Sequence, residues 1–273
     1  MNYKTSLIVP IIILVLSLSY LLWQITTTGL NLDIDLKGGT QIIAESEKVL
    51  DEKEIENVLG QYDAHVRTAR GLTGYSIFIE FDASIDSKDV LETLNENGYI
   101  FEDYSVQTVG PSLGAASFQQ AIIVLLAAFV FMAITIFIVF KIPLISFYIS
   151  LCPAFDIIET LAISQILGIK LSLASFAALL MIIGYSVDDD VMITTRILKG
   201  TGEMKDKIKN SYKTSFTTTA ATLVALVALY TMSLSVVITQ IASILLIGLL
   251  VDLQNTWLFD TPLLRWYIER KIK

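Results

Sequence analysis

LSLASFAALLMIIGYSVDDDVMITTRILK, residues 171–199, decides how the chain reads. Its apolar run from Leu173 to Val187 is 15 residues long and ends on Asp188, Asp189 and Asp190. A helix needs roughly 20 apolar residues to span a bilayer. Either this helix stops short, or it runs through the aspartates to about Ile197, roughly 37 Å at 1.5 Å per residue. In the second case three carboxylates lie within a spanning segment. Each costs roughly 2.5 to 3.5 kcal/mol to insert, so carboxylates are rare there without a function. The bland reading is that the triplet marks the end of a short helix. With Leu171 at one membrane face, Asp188 lies about 25 Å down the helix. The insertion cost favours a functional role.

The surroundings are those of a membrane protein. Of 273 residues, 54% are hydrophobic and 17% charged, with mean hydropathy +0.65. Six spans are expected, near 5–25, 118–140, 144–167, 172–197, 214–233 and 236–259. The first follows Lys4 and ends in LLWQITTT with no small-residue cleavage site, which reads as an uncleaved anchor. The resulting division is a first helix at 1–26, a polar domain at 27–117, a five-helix bundle at 118–260 and a tail at 261–273. The charge is uneven: residues 27–117 carry 17 acidic and 6 basic side chains, net −11, and the remainder is net +3. With six spans, Lys4, Lys141, the lysines of 199–213 and the basic tail (Arg265, Arg270, Lys271, Lys273) share one side. The positive-inside rule makes that side cytoplasmic, with both termini, and sends 27–117 outward.

The polar domain has its own pattern. LDIDL followed by GGTQIIAES reads as a strand. Asp51 and Glu54 form a capping-box pattern opening a short helix to Leu59. His65–Arg70 and Tyr75–Phe81 read as strands around the turn GLTG. Asp86 or Ser87 opens a second helix stopped by Gly98, and Tyr99–Val109 reads as the last strand. The order β-α-β-β-α-β is ferredoxin-like, with two helices on one sheet face. The expected fold is therefore a six-helix polytopic membrane protein with one extracytoplasmic α+β domain between helices 1 and 2.

Further polar residues sit inside the spans. Asp156 and Glu159 are three apart and share a helix face; Asp156 lies about 18 Å in from Leu144. Pro153 frees a carbonyl just before them. They read either as a satisfied buried pair or as part of a relay. Asp252 and Asn255 repeat the spacing on the sixth span, where helix–helix hydrogen bonding is expected. Gly184 and Ser186 are small enough for a neighbouring helix to approach closely. The fifth span opens with Thr214, Ser215, Thr217, Thr218, Thr219 and Thr222, whose hydroxyls can pack helices or solvate a carboxylate. Lys213 can pair with an acid of the fourth span or snorkel.

Several classes are excluded. One cysteine, Cys152, rules out an intrachain disulfide, and one histidine, His65, rules out a multi-histidine metal site. No basic, aromatic-laced face suits nucleic acid. No nucleophile–base pair or metal-ligand set appears, so no enzyme, metal or cofactor is expected. GGT at 38–40 and GPSLG at 110–114 lack the lysine spacing of a phosphate loop; Gly38 and Gly39 suit a bulge or a tight backbone approach.

IDLKGGT at 34–40, VGPSLG at 109–114, Phe155–Asp156, residues 171–197 and TSFTTTAATL at 214–223 together resemble the SecD/SecF family of protein-export membrane proteins. The likeness is to its smaller, SecF-type members and covers nearly the whole chain. The resemblance implies a resistance-nodulation-division fold and pairing with a SecD-like protein. It also implies action beside a SecY-type translocon on a translocating polypeptide, driven by protons. The bacterial pattern places its acid on Asp189, and the archaeal pattern places acids at 188 and 190. The bacterial histidine falls on Phe155 and the bacterial arginine on Asn210, so the archaeal form is the better match. Lys209 or Lys213 would have to supply any required cation. The implied proton carriers are Asp188, Asp189, Asp190 and Asp156, with Glu159, Lys213, Asp252 and Asn255 supporting. A small-molecule efflux transporter of the same fold and a non-coupling scaffold for SecD remain as alternatives.

Overall fold

The computed structural model describes residues 3–46, 50–70, 75–101, 103–233 and 235–272. The GLTG turn at 71–74 and Lys273 lie outside the described residues. Helix α1 covers Tyr3–Thr27 and leads into the polar domain. There a four-stranded sheet is built from β1 (Gly39–Ser46), β2 (His65–Arg70), β3 (Tyr75–Phe81) and β4 (Tyr104–Val109). The strand order is β2-β3-β1-β4, and all neighbours are antiparallel. Helices α3 (Glu52–Val58) and α4 (Ser87–Glu96) are opened by Asp51 and Asp86, whose carboxylates accept from the backbone N–H of Lys53 and Lys88.

Alternation along the strands separates two faces. Ile42, Val66, Ile77 and Ile79 form the domain core with Ile55 of α3 and Val90 and Leu94 of α4. The opposite face presents Gln41, Ile43, Phe78, Glu80 and Arg67, set side by side by the pairings Gln41–Glu80, Ile43–Phe78 and Arg67–Phe78.

Two boundaries depart from the sequence reading. LDIDL does not begin the first strand: Ile34–Lys37 forms a helical turn, α2, capped by the Asp33 carboxylate. Gly38 (φ +83°) and Gly39 (φ +135°) then swing the chain into β1. The last strand begins at Tyr104 rather than Tyr99. Gly98 (φ +88°) ends α4, and the Tyr99 N–H returns to the Leu94 carbonyl. Tyr99 and Phe101 are spent on the domain core.

The remaining helices are α5 (Pro111–Phe140), α6 (Pro143–Ile166), α7 (Leu173–Lys199), α8 (Met204–Met232), α9 (Val236–Asn255) and α10 (Thr261–Ile272). A π-helical turn, Thr256–Asp260, joins α9 to α10 without a break. Five segments are long and apolar enough to cross a membrane: 7–27, 111–140, 143–166, 204–232 and 237–268. Leu16, Leu22, Phe131, Ile138, Phe147, Val224 and Leu250 are exposed around them, as expected where the solvent is lipid. The chain is a multi-span membrane protein with a small sheet domain near its N-terminus. Helix α7 is continuous for 27 residues, so the chain does not stop at the aspartates. It packs against α5, α6, α8 and α9, and Leu179, Ile182 and Ile183 meet Leu245 and Leu249 in the core. The basic connection expected over 199–213 is helical from Met204, and the expected tail is α10.

The two glycine motifs meet. A Cβ on Gly114 would lie 2.5 Å from the Gly38 nitrogen, and one on Gly38 would lie 2.6 Å from the Pro111 Cα. Only hydrogen at both positions lets α2 seat against the start of α5.

Candidate functional site

The buried face of α6 carries Asp156 and Glu159, neither with any exposed surface. Asn255 of α9 bridges them: its Nδ2 donates to Asp156 Oδ1 at 2.9 Å and to Glu159 Oε2 at 3.2 Å. Ser186 of α7 donates to the other Asp156 oxygen at 2.7 Å. Asp252 is buried one turn before Asn255 and accepts from Thr256 Oγ1 at 3.4 Å. Helices α6, α7 and α9 are thus joined through one carboxylate cluster. Hydrogen bonding by Asn255 was expected, and its acceptors are the acids of α6.

The three aspartates of α7 fan out at about 100° per residue. Asp188 is exposed, Asp189 half-buried and Asp190 buried. Ser215 of α8 donates to Asp189 Oδ2 at 2.6 Å. Of the hydroxyls on α8, Ser211, Ser215 and Thr219 are buried, while Thr217, Thr218 and Thr222 bond back to their own helix. Among the described residues, no ion pair joins Lys213 to an acid of α7; its side chain is exposed and Ser215 takes the place beside Asp189. The cations linking α7 to α8 are Arg196, which donates to Thr214 Oγ1 at 2.7 Å, and Lys207, which donates to the Ile197 carbonyl at 3.4 Å.

Ser186 is fully buried at the helix contact, as its size suggested. Gly184 is not: it is exposed, and a Cβ there would meet nothing within 4 Å. Residue 184 points away from the neighbouring helices of this chain, with Tyr185 and Asp188. The close approach is made at Gly248 of α9, where a Cβ would run into Ile182 Cδ1. Asp260, on the π turn, is buried beside Asp190. Sequence reasoning missed both residues. Gly248 lies in an apolar run with no periodic signal. Asp260 lies past the expected end of the last span.

A second polar cluster lies where α6 turns into α7. Lys170 of that turn donates to Glu80 Oε2 at 2.5 Å, across from the sheet domain. Arg67 donates to the other Glu80 oxygen at 2.7 Å, Gln41 to the same atom at 3.2 Å, and Lys37 stands 3.6 Å from Oε2. Burial works to raise the Glu80 carboxyl, but the bonds and charges of Lys170 and Arg67 outweigh it and hold the group below its ordinary range. Burial lowers the Lys170 ammonium, with Arg67 and Lys37 adding to the shift and Glu80 offsetting part of it.

Backbone bonds reinforce this junction. Leu171 N–H donates to the Asn31 carbonyl and Asp33 N–H to the Leu171 carbonyl, each at 2.8 Å. Gln165 Oε1 accepts from Gln24 Nε2 and from Asn31 N–H. Gln240 Nε2 donates to the Lys170 carbonyl at 3.0 Å. The helices carrying the carboxylates therefore end in a turn fastened to the sheet domain.

Residues 89–270 match the family model described as protein export membrane protein SecD/SecF, C-terminal. The protein-export membrane protein SecF of Methanolacinia petrolearia is 33% identical over 272 residues, covering 98% of this chain and 94% of that protein. Among solved structures, the fold is similar to SecDF of Thermus thermophilus, described as a translocon-associated membrane protein. The TM-score is 0.76 at 18% identity, over 97% of this chain and 38% of that one. A heavy metal efflux pump is similar at TM-score 0.51 and 13% identity, over 76% of this chain and 23% of the pump.

Proposed function

The chain belongs to the SecD/SecF family of protein-export membrane proteins, and on that premise we propose that its buried carboxylates couple ion movement to protein export. It is a SecF-type transport component that aids export, and not an enzyme. In this reading α7 also spans the membrane, as the fourth span in chain order, and brings the five apolar segments to six, because a 27-residue helix enclosed by four others has no other environment. Both termini and the basic 199–213 connection face the cytoplasm. The ferredoxin-like domain, 27–117, faces outward. The bundle is 118–260. The partners are a SecD-like protein, a SecY-type translocon and the emerging polypeptide.

The observation that carries the mechanism is the shared connection. Asp156 and Glu159 sit on α6, Asp188, Asp189 and Asp190 on α7, and the turn between those helices holds the sheet domain through Lys170 and Glu80. Asp189 and Asp190 take protons, and Asp156 shares the load through Ser186. Neutralising a carboxylate weakens the bond it accepts, from Ser215 or from Asn255, by about 1 kcal/mol or more. The helices then settle in a second packing, and the fastened turn carries that shift to the domain. Glu159, Asp252 and Asn255 set the electrostatics of the cluster. The Ser215 bond, together with the bacterial form of the family pattern, makes Asp189 the first position to alter.

The test is export in cells whose only copy carries Asp189→Asn, then the triple change at 188, 189 and 190. The single variant should slow export, and the triple variant should abolish the dependence on the proton gradient. Undiminished, gradient-dependent export in the triple variant would reduce the chain to a scaffold.

A further inference from the structure

Asp190 and Asp260 raise a separate question. Both are buried, and among the described residues none of their four side-chain oxygens has a hydrogen-bond donor. The Cys152 sulfur, one Asp190 oxygen and one Asp260 oxygen lie within 4.8 Å of one another. Two ionised carboxylates so placed, away from water, would repel strongly. The local backbone is built to bring them together. Pro262 removes the N–H that an α-helix would aim at residue 258, and the chain widens into the π turn just before it. The Thr256 carbonyl is met by both the N–H and the Oγ1 of Thr261. On an unbroken α-helix Asp252 and Asp260 would point about 80° apart; the extra residue of the π turn cancels most of that, to within about 20°. Asp260 is thereby turned inward against α6 and α7.

We propose that Asp190 and Asp260 are one acid–carboxylate pair, a single proton being held between them as the O–H of one and accepted by the other. The pair is distinct from the Asp156–Asn255 cluster. Its place in a relay rests on the coupling reading above, but the pair itself does not. Several ionisable side chains among the described residues surround it. From α6 come Cys152, Asp156 and Tyr148, and from α9 Asp252. When ionised, Asp156 and Asp252 add further negative charge beside the pair. The Cys152 sulfur lies beside both carboxyls without a hydrogen bond to either. Residues of α1 also pack on the π turn.

The experiment is infrared difference spectroscopy of the full chain in lipid nanodiscs with its aspartates carbon-13 labelled. The wild-type chain should show a protonated carboxyl C=O band that shifts in D2O. Asp260→Asn should remove it, because the asparagine NH2 supplies the donor that Asp190 otherwise obtains from the proton. Asp190→Asn should do the same from the other side, which covers the case where one variant does not fold. A band unchanged in both variants overturns the proposal. So does one equivalent of metal co-purifying with the wild-type chain and lost in Asp260→Asn, since the pair is then a metal site. Export in the same cells is recorded in parallel and tests the coupling reading alone; the carboxyl band tests the pair whether export fails or persists.

Discussion

Cutting the Lys170–Glu80 contact should loosen the sheet domain from the bundle by an amount that depends on which partner is removed. Glu80 is 3% exposed and Lys170 7%, so screening by water is weak. In Lys170→Met, Glu80 keeps Arg67 at 2.7 Å and Lys37 at 3.6 Å. The loss is then that of one charge-assisted hydrogen bond, about 2 kcal/mol. Glu80→Gln is worse, because Lys170 remains buried among two other cations with no counter-charge; removal of one buried partner costs about 3 to 5 kcal/mol. The double variant should cost less than the sum, with a coupling of about 2 kcal/mol. Amide hydrogen exchange at Asp33 and Leu171 reads this directly, since both N–H groups bond across the junction. At 1.4 kcal/mol per tenfold, Lys170→Met should lower protection about thirtyfold and Glu80→Gln a hundredfold or more. A coupling below about 0.5 kcal/mol, the level of an exposed pair, would refute the reasoning, as would a milder effect from Glu80→Gln than from Lys170→Met.

Two other outcomes follow from the same structure. Since Glu80 titrates below its ordinary 4.5 when folded, its contribution is complete above that value and is lost as pH falls through the lower folded one. Protection at Asp33 and Leu171, corrected for intrinsic rate, should therefore fall below about pH 4.5 and hold from there to neutrality. Gly114→Ala forces a Cβ against backbone and should cost about 1 to 3 kcal/mol, whereas Gly184→Ala meets open space and should be neutral or stabilising by up to about 1 kcal/mol. Thermal unfolding of the two purified variants separates them; equal melting temperatures would contradict the close approach at Gly38.

Much of the site was legible because carboxylates in apolar sequence are costly wherever the chain places them. Asp156, Glu159, Asp252, Asn255 and the 188–190 triplet all stood out on that ground. Asp260 had the same chemistry but lay between WLF and TPLL, where the apolar pattern was fading, and its burial depends on a π turn that composition does not announce. Lys170 and Glu80 were two ordinary charges 90 residues apart. Neither carries a local signal, since their pairing is created by the docking of a domain on a helix turn.

The sequence by itself determined that this chain spans a membrane several times, carries one acidic α+β domain and keeps carboxylates at depth. Those properties follow from hydropathy, alternation and the cost of burying charge, all of which are local. The tertiary structure decided which partner each carboxylate has: Asn255 bridging Asp156 and Glu159, Ser215 on Asp189, Asp260 against Asp190. It also decided that Gly248 rather than Gly184 stands at a close helix contact. Each of these depends on how far a helix is rotated about its axis and what faces it, and rotation is fixed only when all the neighbouring helices are packed together.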